Sequence, residues 1–171
     1  SHTYNSVNGI TRNPYDLSKT AGGSSGGTAA ALAANLLPVA DGSDMMGSLR
    51  NPAAFNNVYG FRPTWGLVPN DADGDNFMQT LATSGPMARN PMDLARLLET
   101  MVGPNPLVPV NLTPSDCYTS GLDKTVSNKR IAWIGDWNGY YQYEHGINEL
   151  CKDALTKYSK MGKKKKKFIP E

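Results

Sequence analysis

Two glycine–serine clusters on either side of an alanine-rich segment constrain this chain more than any other feature. The stretch runs TAGGSSGGTAAALAANLLPVADGSDMMGSLRNPAAFNNVYGFRPTWG, from Thr20 to Gly66. Glycine loses the most backbone freedom on folding. Two such clusters so close together therefore indicate backbone that bends sharply or approaches a ligand. Between them TAAALAANLL, Thr28–Leu37, has the composition of a helix, and Pro38 is expected to end it. A helix there fixes how far Ser24 and Ser25 stand from Ser48.

The remaining elements follow from punctuation and periodicity. Residues 1–27 read as loop, with NPYD, Asn13–Asp16, as a turn. PVADGSD reads as a short strand entering a turn, NVYGF (Asn57–Phe61) as a second strand, and RPTWGLVP as loop. Asn90 is the expected N-cap of a helix with Pro91 in its first position. Leu94, Leu97, Leu98 and Met101 then recur at helical spacing, and Gly103 stops the helix. The Pro-rich residues 103–116 connect to KRIAWIG, Lys129–Gly135, a strand. Ile147, Leu150, Cys151, Ala154, Leu155 and Tyr158 share one helical face. Helices alternating with short apolar strands predict a layered α/β architecture. No internal repeat is present.

Composition narrows the function classes. The chain has 171 residues, 39% hydrophobic and 19% charged, which suits a folded domain rather than a disordered one. No apolar run reaches the roughly 18 residues that span a bilayer, and SHTYNSVNG has no apolar leader core. The expected location is the cytoplasm, with no membrane partner. The first residue is not Met, and a cut or trimmed N-terminus is the expectation. The net charge of +2 comes from Lys163–Lys167, without which the chain is net negative. That run has no interleaved aromatics, so it is read as a solvated segment and no nucleic-acid partner is predicted. Cys117 and Cys151 lack CxxC spacing and are expected as reduced thiols. His2 and His145 are the only histidines, with no cysteine or histidine at ligand spacing, so neither metal nor cofactor is expected.

Several chemistries fail on these residues. The glycine cluster is followed by Thr28 and Ala29 rather than the lysine of a phosphate loop. No apolar strand precedes it, as a dinucleotide fingerprint requires. GGSSG matches G-x-S-x-G with Ser24 central, but the strand before it is missing and the only later histidine, His145, lies in a polar loop. What remains is a serine activated without histidine. It needs a base for its proton and donors for the oxyanion that follows. Successive N–H groups in the turn DMMGS, Asp44–Ser48, can face an anion, and a helix from Thr28 points its positive end toward the Ser24 cluster. On the residues alone, the reading of both clusters as Gly-rich turns closing βα connections stands ahead of the catalytic one.

Ala21–Gly66 resembles the amidase signature family of serine hydrolases. The resemblance is carried by GGSSGG at 22–27, the alanine-rich helix, DGSDMMGSLRNPA at 41–53 and GFRPTWGLVP at 60–69. It continues through TSGPMARNPMDLARLLETMVGP, Thr83–Pro104, and KRIAWIGDWNGY, and covers about Tyr4 to Tyr158. It implies an α/β fold of amidase-signature type, a layered α/β/α arrangement with a mixed sheet, only part of it present. It also implies a Ser–Ser–Lys mechanism acting on a small-molecule amide. Ser48 corresponds to the nucleophile and Ser24 to a bridging serine held by a cis peptide. Backbone N–H groups around Met45, Met46, Gly47 and Ser48 correspond to the oxyanion hole, with Ser25 a supporting hydroxyl. Asp44 and Arg50 are expected to orient the loop. A homo-oligomer is compatible with the resemblance.

Two departures stand out. The family commonly has Gly-Gly-Ser where this chain has Met46-Gly47-Ser48, and Met46 cannot adopt glycine-only angles at low cost. The family's lysine lies several tens of residues before the bridging serine. Here Lys19 is the only lysine before Ser24, and it is too close in sequence. The expectation is an internal piece of a larger amidase: residues 1–162 a partial amidase signature domain, 163–171 a Lys-rich tail, inactive alone because the base lies outside. The alternative is a non-catalytic truncated relative, or a binding subunit of an amidotransferase-like complex.

Overall fold

The computed structural model describes residues 2–70, 80–113, 117–124, 130–160 and 164–167. The chain divides into two compact units, Ser1–Leu122 and Asp123–Glu171.

The first unit opens with two small antiparallel hairpins. β1 (Tyr4–Asn5) pairs with β2 (Gly9–Ile10), and β3 (Arg12–Asn13) with β4 (Asp16–Thr20). In the sequence they read only as loop, because every strand residue except Asn13 is exposed and no alternation marks them. The NPYD turn is real. The Asn13 amide accepts from the Tyr15 N–H at 2.9 Å and donates to the Phe55 carbonyl at 2.7 Å, pinning the hairpin to the chain beyond it.

Helix α1 (Gly26–Ala33) starts two residues earlier than composition suggests, inside the glycine cluster. It ends before Pro38. Asn35 turns left-handed, at φ 60°. Its N–H donates to the Leu32 carbonyl at 3.0 Å, and the Leu36 N–H to the Ala31 carbonyl at 2.9 Å. This double return closes the helix without help from proline.

β5 (Val39–Asp44) leads into the short helix α2 (Arg50–Phe55), followed by β6 (Tyr59–Gly60) and β7 (Thr83–Ala88). The sheet order is β5-β7-β6, all antiparallel, with Val39 opposite Ala88 and Asp44 opposite Thr83. The central strand, TSGPMA, is one that propensity would reject, since Pro86 has no N–H for the ladder. Its carbonyl still accepts the Phe61 N–H at 3.0 Å. Burial holds the strand in place: Thr83, Gly85, Pro86, Met87 and Ala88 are all buried. Ala29 and Leu32 of α1, Leu49, Ala53 of α2 and Met87 of β7 form the core.

Helix α3 (Pro91–Met101) has the expected cap, the Asn90 side chain accepting from the Asp93 N–H at 2.8 Å. No regular element occurs from 103 to 113, and residues 114–116 of the expected loop lie outside the described residues. A short 3-10 turn, Thr119–Gly121, is tethered to α3 by Glu99. That carboxylate accepts the Cys117 thiol at 2.8 Å and the Thr119 N–H at 2.8 Å, and these donors hold it below the usual carboxylate range.

In the second unit β8 (Arg130–Trp133) pairs in parallel with β9 (Lys164–Lys167), and α4 (Ile147–Lys160) carries the expected amphipathic face. Lys129 and Lys163 lie outside the described residues. The lysine run is thus part of a ladder where sequence predicts a solvated segment. Backbone pairing with Arg130–Trp133, rather than side-chain propensity, places it there. Cys117 and Cys151 are free, and His145 is exposed just before α4. Among the described residues no helix is long and apolar enough to cross a membrane.

Candidate active site

The two serine clusters meet at the N-terminus of α1. Ser25 is the N-cap residue, and its N–H donates to the Ser48 carbonyl at 3.3 Å. The Ser25 hydroxyl lies 3.3 Å from the Ser43 N–H, which donates to it, and 3.4 Å from the Ser43 carbonyl. Ser25 is buried and Ser24 is exposed, so the two adjacent hydroxyls occupy different surroundings. The Gly23–Ser24 peptide is cis, as the resemblance implies.

Backbone packing explains the glycines before Ser24. A Cβ on Gly23 would come within 2.6 Å of the His2 carbonyl oxygen. The neighbouring Thr3 supplies the hydroxyl that holds this cluster. Thr3 Oγ1 lies 2.9 Å from the Gly22 carbonyl and 3.2 Å from that of Ser24, and accepts the Gly26 N–H at 3.1 Å. Sequence reasoning missed Thr3, since nothing local marks it. Its partners lie some twenty residues away.

The Ser48 turn is organised by Asp44, the last residue of β5, whose side chain is fully buried. Its carboxylate accepts the N–H groups of Gly47 (2.8 Å), Leu49 (3.2 Å) and Arg50 (3.4 Å). Two guanidiniums close on it as well. Arg50 donates from Nε at 2.9 Å and Nη2 at 3.1 Å, and Arg62 from Nη1 at 3.0 Å. Arg62 also donates to the Asp44 carbonyl and, from Nη2, to the Leu81 carbonyl at 2.6 Å. Burial pushes the Asp44 carboxyl up. The Arg50 guanidinium and the three backbone N–H donors outweigh it and hold the group well below the usual carboxylate range. Arg62 stands in the quoted stretch GFRPTWGLVP, yet no sequence signal tied it to Asp44.

Gly47, at φ +109°, is where the turn needs glycine, and a Cβ there would meet the Asn51 amide nitrogen at 2.8 Å. Met46 does not take a left-handed conformation, so methionine is tolerated without strain. The Gly47 N–H, expected among the oxyanion donors, is instead spent on Asp44. The N–H groups of Met45, Met46 and Ser48 take no partner among the described residues. The Ser24 and Ser48 hydroxyls likewise make no hydrogen bond, to each other or to any described residue. Lys19, exposed in β4, is not among the partners of either cluster. Among the described residues no three metal-ligating side chains gather.

Similarity to known proteins runs the length of the chain. A family model described as Amidase matches residues 1–171. A glutamyl-tRNA(Gln) amidotransferase subunit of Alkaliphilus metalliredigens is 37% identical over 163 residues, 94% of this chain and 32% of that protein. Among solved structures, a bacterial aryl acylamidase belonging to the amidase signature enzymes is 34% identical with a TM-score of 0.87, across 94% of this chain and 33% of that one. The 6-aminohexanoate cyclic dimer hydrolase complexed with substrate is 31% identical, also with a TM-score of 0.87, across 99% and 36%. The chain spans about a third of the length of the relatives it matches.

Proposed function

The chain belongs to the amidase family, with the partial α/β fold of amidase signature enzymes, and on that premise we propose that it carries the nucleophile and proton relay of an amide hydrolase. Ser48 Oγ attacks the carbonyl carbon of a carboxamide. Its proton passes to Ser24 Oγ as Ser24 gives its own to a neutral lysine contributed by polypeptide outside these residues. The N–H groups of Met45, Met46 and Ser48 receive the oxyanion, and Gly47 shapes the turn by binding Asp44. Collapse breaks the C–N bond, the proton returns through Ser24 to the leaving amine, and an ester on Ser48 remains for water to hydrolyse.

The observation that carries this reading is the hydrogen bond between the Ser25 N–H and the Ser48 carbonyl, 3.3 Å. It brings the two clusters together at the positive end of α1. A second reading is favoured by the 37% identical relative, whose name is that of an amidotransferase component. On that reading the same acyl transfer serves a complex with protein partners, and activity depends on them.

The test is ammonia release from a panel of carboxamides by the full-length protein. Ser48→Ala and Ser24→Ala should each lose roughly 10³-fold or more, because coupled catalytic groups fail together. On this proposal the 171-residue chain alone should turn nothing over. Turnover by the short chain comparable to the full protein would place the base within it. Activity appearing only when partner subunits are added would favour the second reading.

A further inference from the structure

One fully buried side chain divides its amide unevenly. Asn56 closes α2 and has 0% exposure. Its Nδ2 donates to two carbonyls, those of Ala21 and Pro52, each at 2.8 Å. Its Oδ1 takes no partner among the described residues. Both carbonyls are acceptors, so the nitrogen has to face them and the oxygen is turned away. A buried amide with an unpaired oxygen carries a cost, and what offsets it is this pair of donated bonds.

The two bonds are not equivalent. The Pro52 carbonyl already accepts the Asn56 N–H at 3.0 Å, so that helix end does not depend on the side chain. No backbone N–H among the described residues donates to the Ala21 carbonyl. The bond to Ala21 is therefore the one the amide adds, and it joins residues 35 positions apart. Ala21 is itself fully buried and stands three residues before Ser24. Between them the backbone lies against α2: a Cβ on Gly22 would meet the Phe55 ring at 3.1 Å and the Pro52 Cα at 3.3 Å. On the other side of Ser24, the Ser25 N–H donates to the Ser48 carbonyl. Ser24 is thus flanked by two attachments to the segment 48–56, one at Ala21 and one at Ser25. A residue anchored on one side alone can swing about that point, whereas two anchors fix its place relative to Ser48. Thr3 binds the same cluster, but it precedes β1 and is no part of the Ser48 segment.

We propose that Asn56 is a positioning residue for proton transfer, tying the segment that carries Ser24 to the helix that follows Ser48. It touches neither substrate nor reacting atoms and acts through Ser24. The inference rests on Ser24 relaying the Ser48 proton. A misplacement of about 1 Å can cost 10²-fold in rate, and loss of one anchor of two should slow the reaction roughly tenfold.

The experiment uses the full-length protein and a serine-directed fluorophosphonate. The rate of labelling at Ser48 is followed by mass spectrometry in a cycle of wild type, Asn56→Leu, Ser24→Ala and the double variant. Asn56→Leu should label about tenfold more slowly than wild type. In the Ser24→Ala background the same substitution should change nothing, whereas a purely structural role would slow both backgrounds. Asn13→Ala is the control. It removes a 2.7 Å bond to the Phe55 carbonyl on the same helix but leaves Ala21 tied, and should keep the wild-type rate. If the wild type does not label at Ser48, or Ser24→Ala labels as fast as wild type, the Ser48–Ser24 reading fails and the inference falls with it. If that reading holds but Asn56→Leu keeps the wild-type rate, slows both backgrounds alike, or slows labelling no more than Asn13→Ala does, the inference alone is overturned. Asn56→Ala takes the place of the leucine variant where the latter does not fold. Failure of both to fold makes Asn56 a structural residue and overturns the inference as well.

Discussion

The turn that carries Ser48 is held by charge, and the turn that carries Ser24 by a hydroxyl. Asp44 gathers three backbone N–H groups and two guanidiniums. Thr3 has one proton to give, and two carbonyls, those of Gly22 and Ser24, stand within reach of it. Charge-assisted hydrogen bonds are about twice as strong as neutral ones. The Ser48 turn is accordingly the more strongly bonded of the two, as the proposed mechanism asks of the turn that carries the nucleophile. An oxyanion hole works by being organised before charge develops, whereas a relay serine has to change partners during a cycle.

The largest effect should come from Asp44→Asn. It leaves two guanidiniums facing a neutral group and replaces an acceptor with a donor opposite N–H groups. Breaking a buried pair costs about 3–5 kcal/mol. The lower end, about 3 kcal/mol, is expected here, because the Arg50 side chain is 55% exposed. Urea unfolding would measure it, and a cost below about 1 kcal/mol, the scale of an ordinary hydrogen bond, would mean that the turn does not depend on the carboxylate.

Acid should act on the same turn. The folded Asp44 carboxyl titrates well below its ordinary value of 3.8. Its stabilisation is therefore fully present above that value and is lost as pH falls through the folded value. Stability should be flat with respect to this group from about pH 5 to 8 and fall below about pH 4. Asp44→Asn should flatten part of the acid limb, whereas a Thr3 variant should leave the limb in place. An acid limb unchanged by Asp44→Asn would break the contrast between the two turns.

Smaller effects belong to the neutral turn. Thr3→Val keeps the shape and removes the hydroxyl, for a loss of about 1–2 kcal/mol, read as a thermal midpoint lower by a few degrees. Ser25→Ala should cost less, about 0.5–1 kcal/mol, since its contacts to Ser43 are 3.3 and 3.4 Å. A Ser25 effect larger than that of Thr3 would reverse the ranking within the first cluster.

What is legible in the sequence is the local part. The capped helix at Asn90, the apolar strand at Val39 and the amphipathic face of α4 each carry their signal in neighbouring residues. The two serine positions and the loop-orienting pair Asp44 and Arg50 come from the family resemblance. What stays hidden depends on distant partners. β7 is a central strand because Thr83, Gly85, Pro86, Met87 and Ala88 are buried, although Pro86 argues against a strand. The hairpins before Thr20 are exposed and carry no period. Thr3 and Arg62 act across about twenty residues each, and a single sequence cannot show such pairings.

The central claim is that Ser48 forms the covalent bond and that Ser24 serves it. The most direct measurement is peptide mapping of the full-length protein after reaction with a serine-directed fluorophosphonate, in the wild type and in Ser48→Ala. The predicted result is a single adduct on the peptide containing Ser48, absent in the variant. An adduct on Ser24, persisting when Ser48 is replaced by alanine, would contradict it.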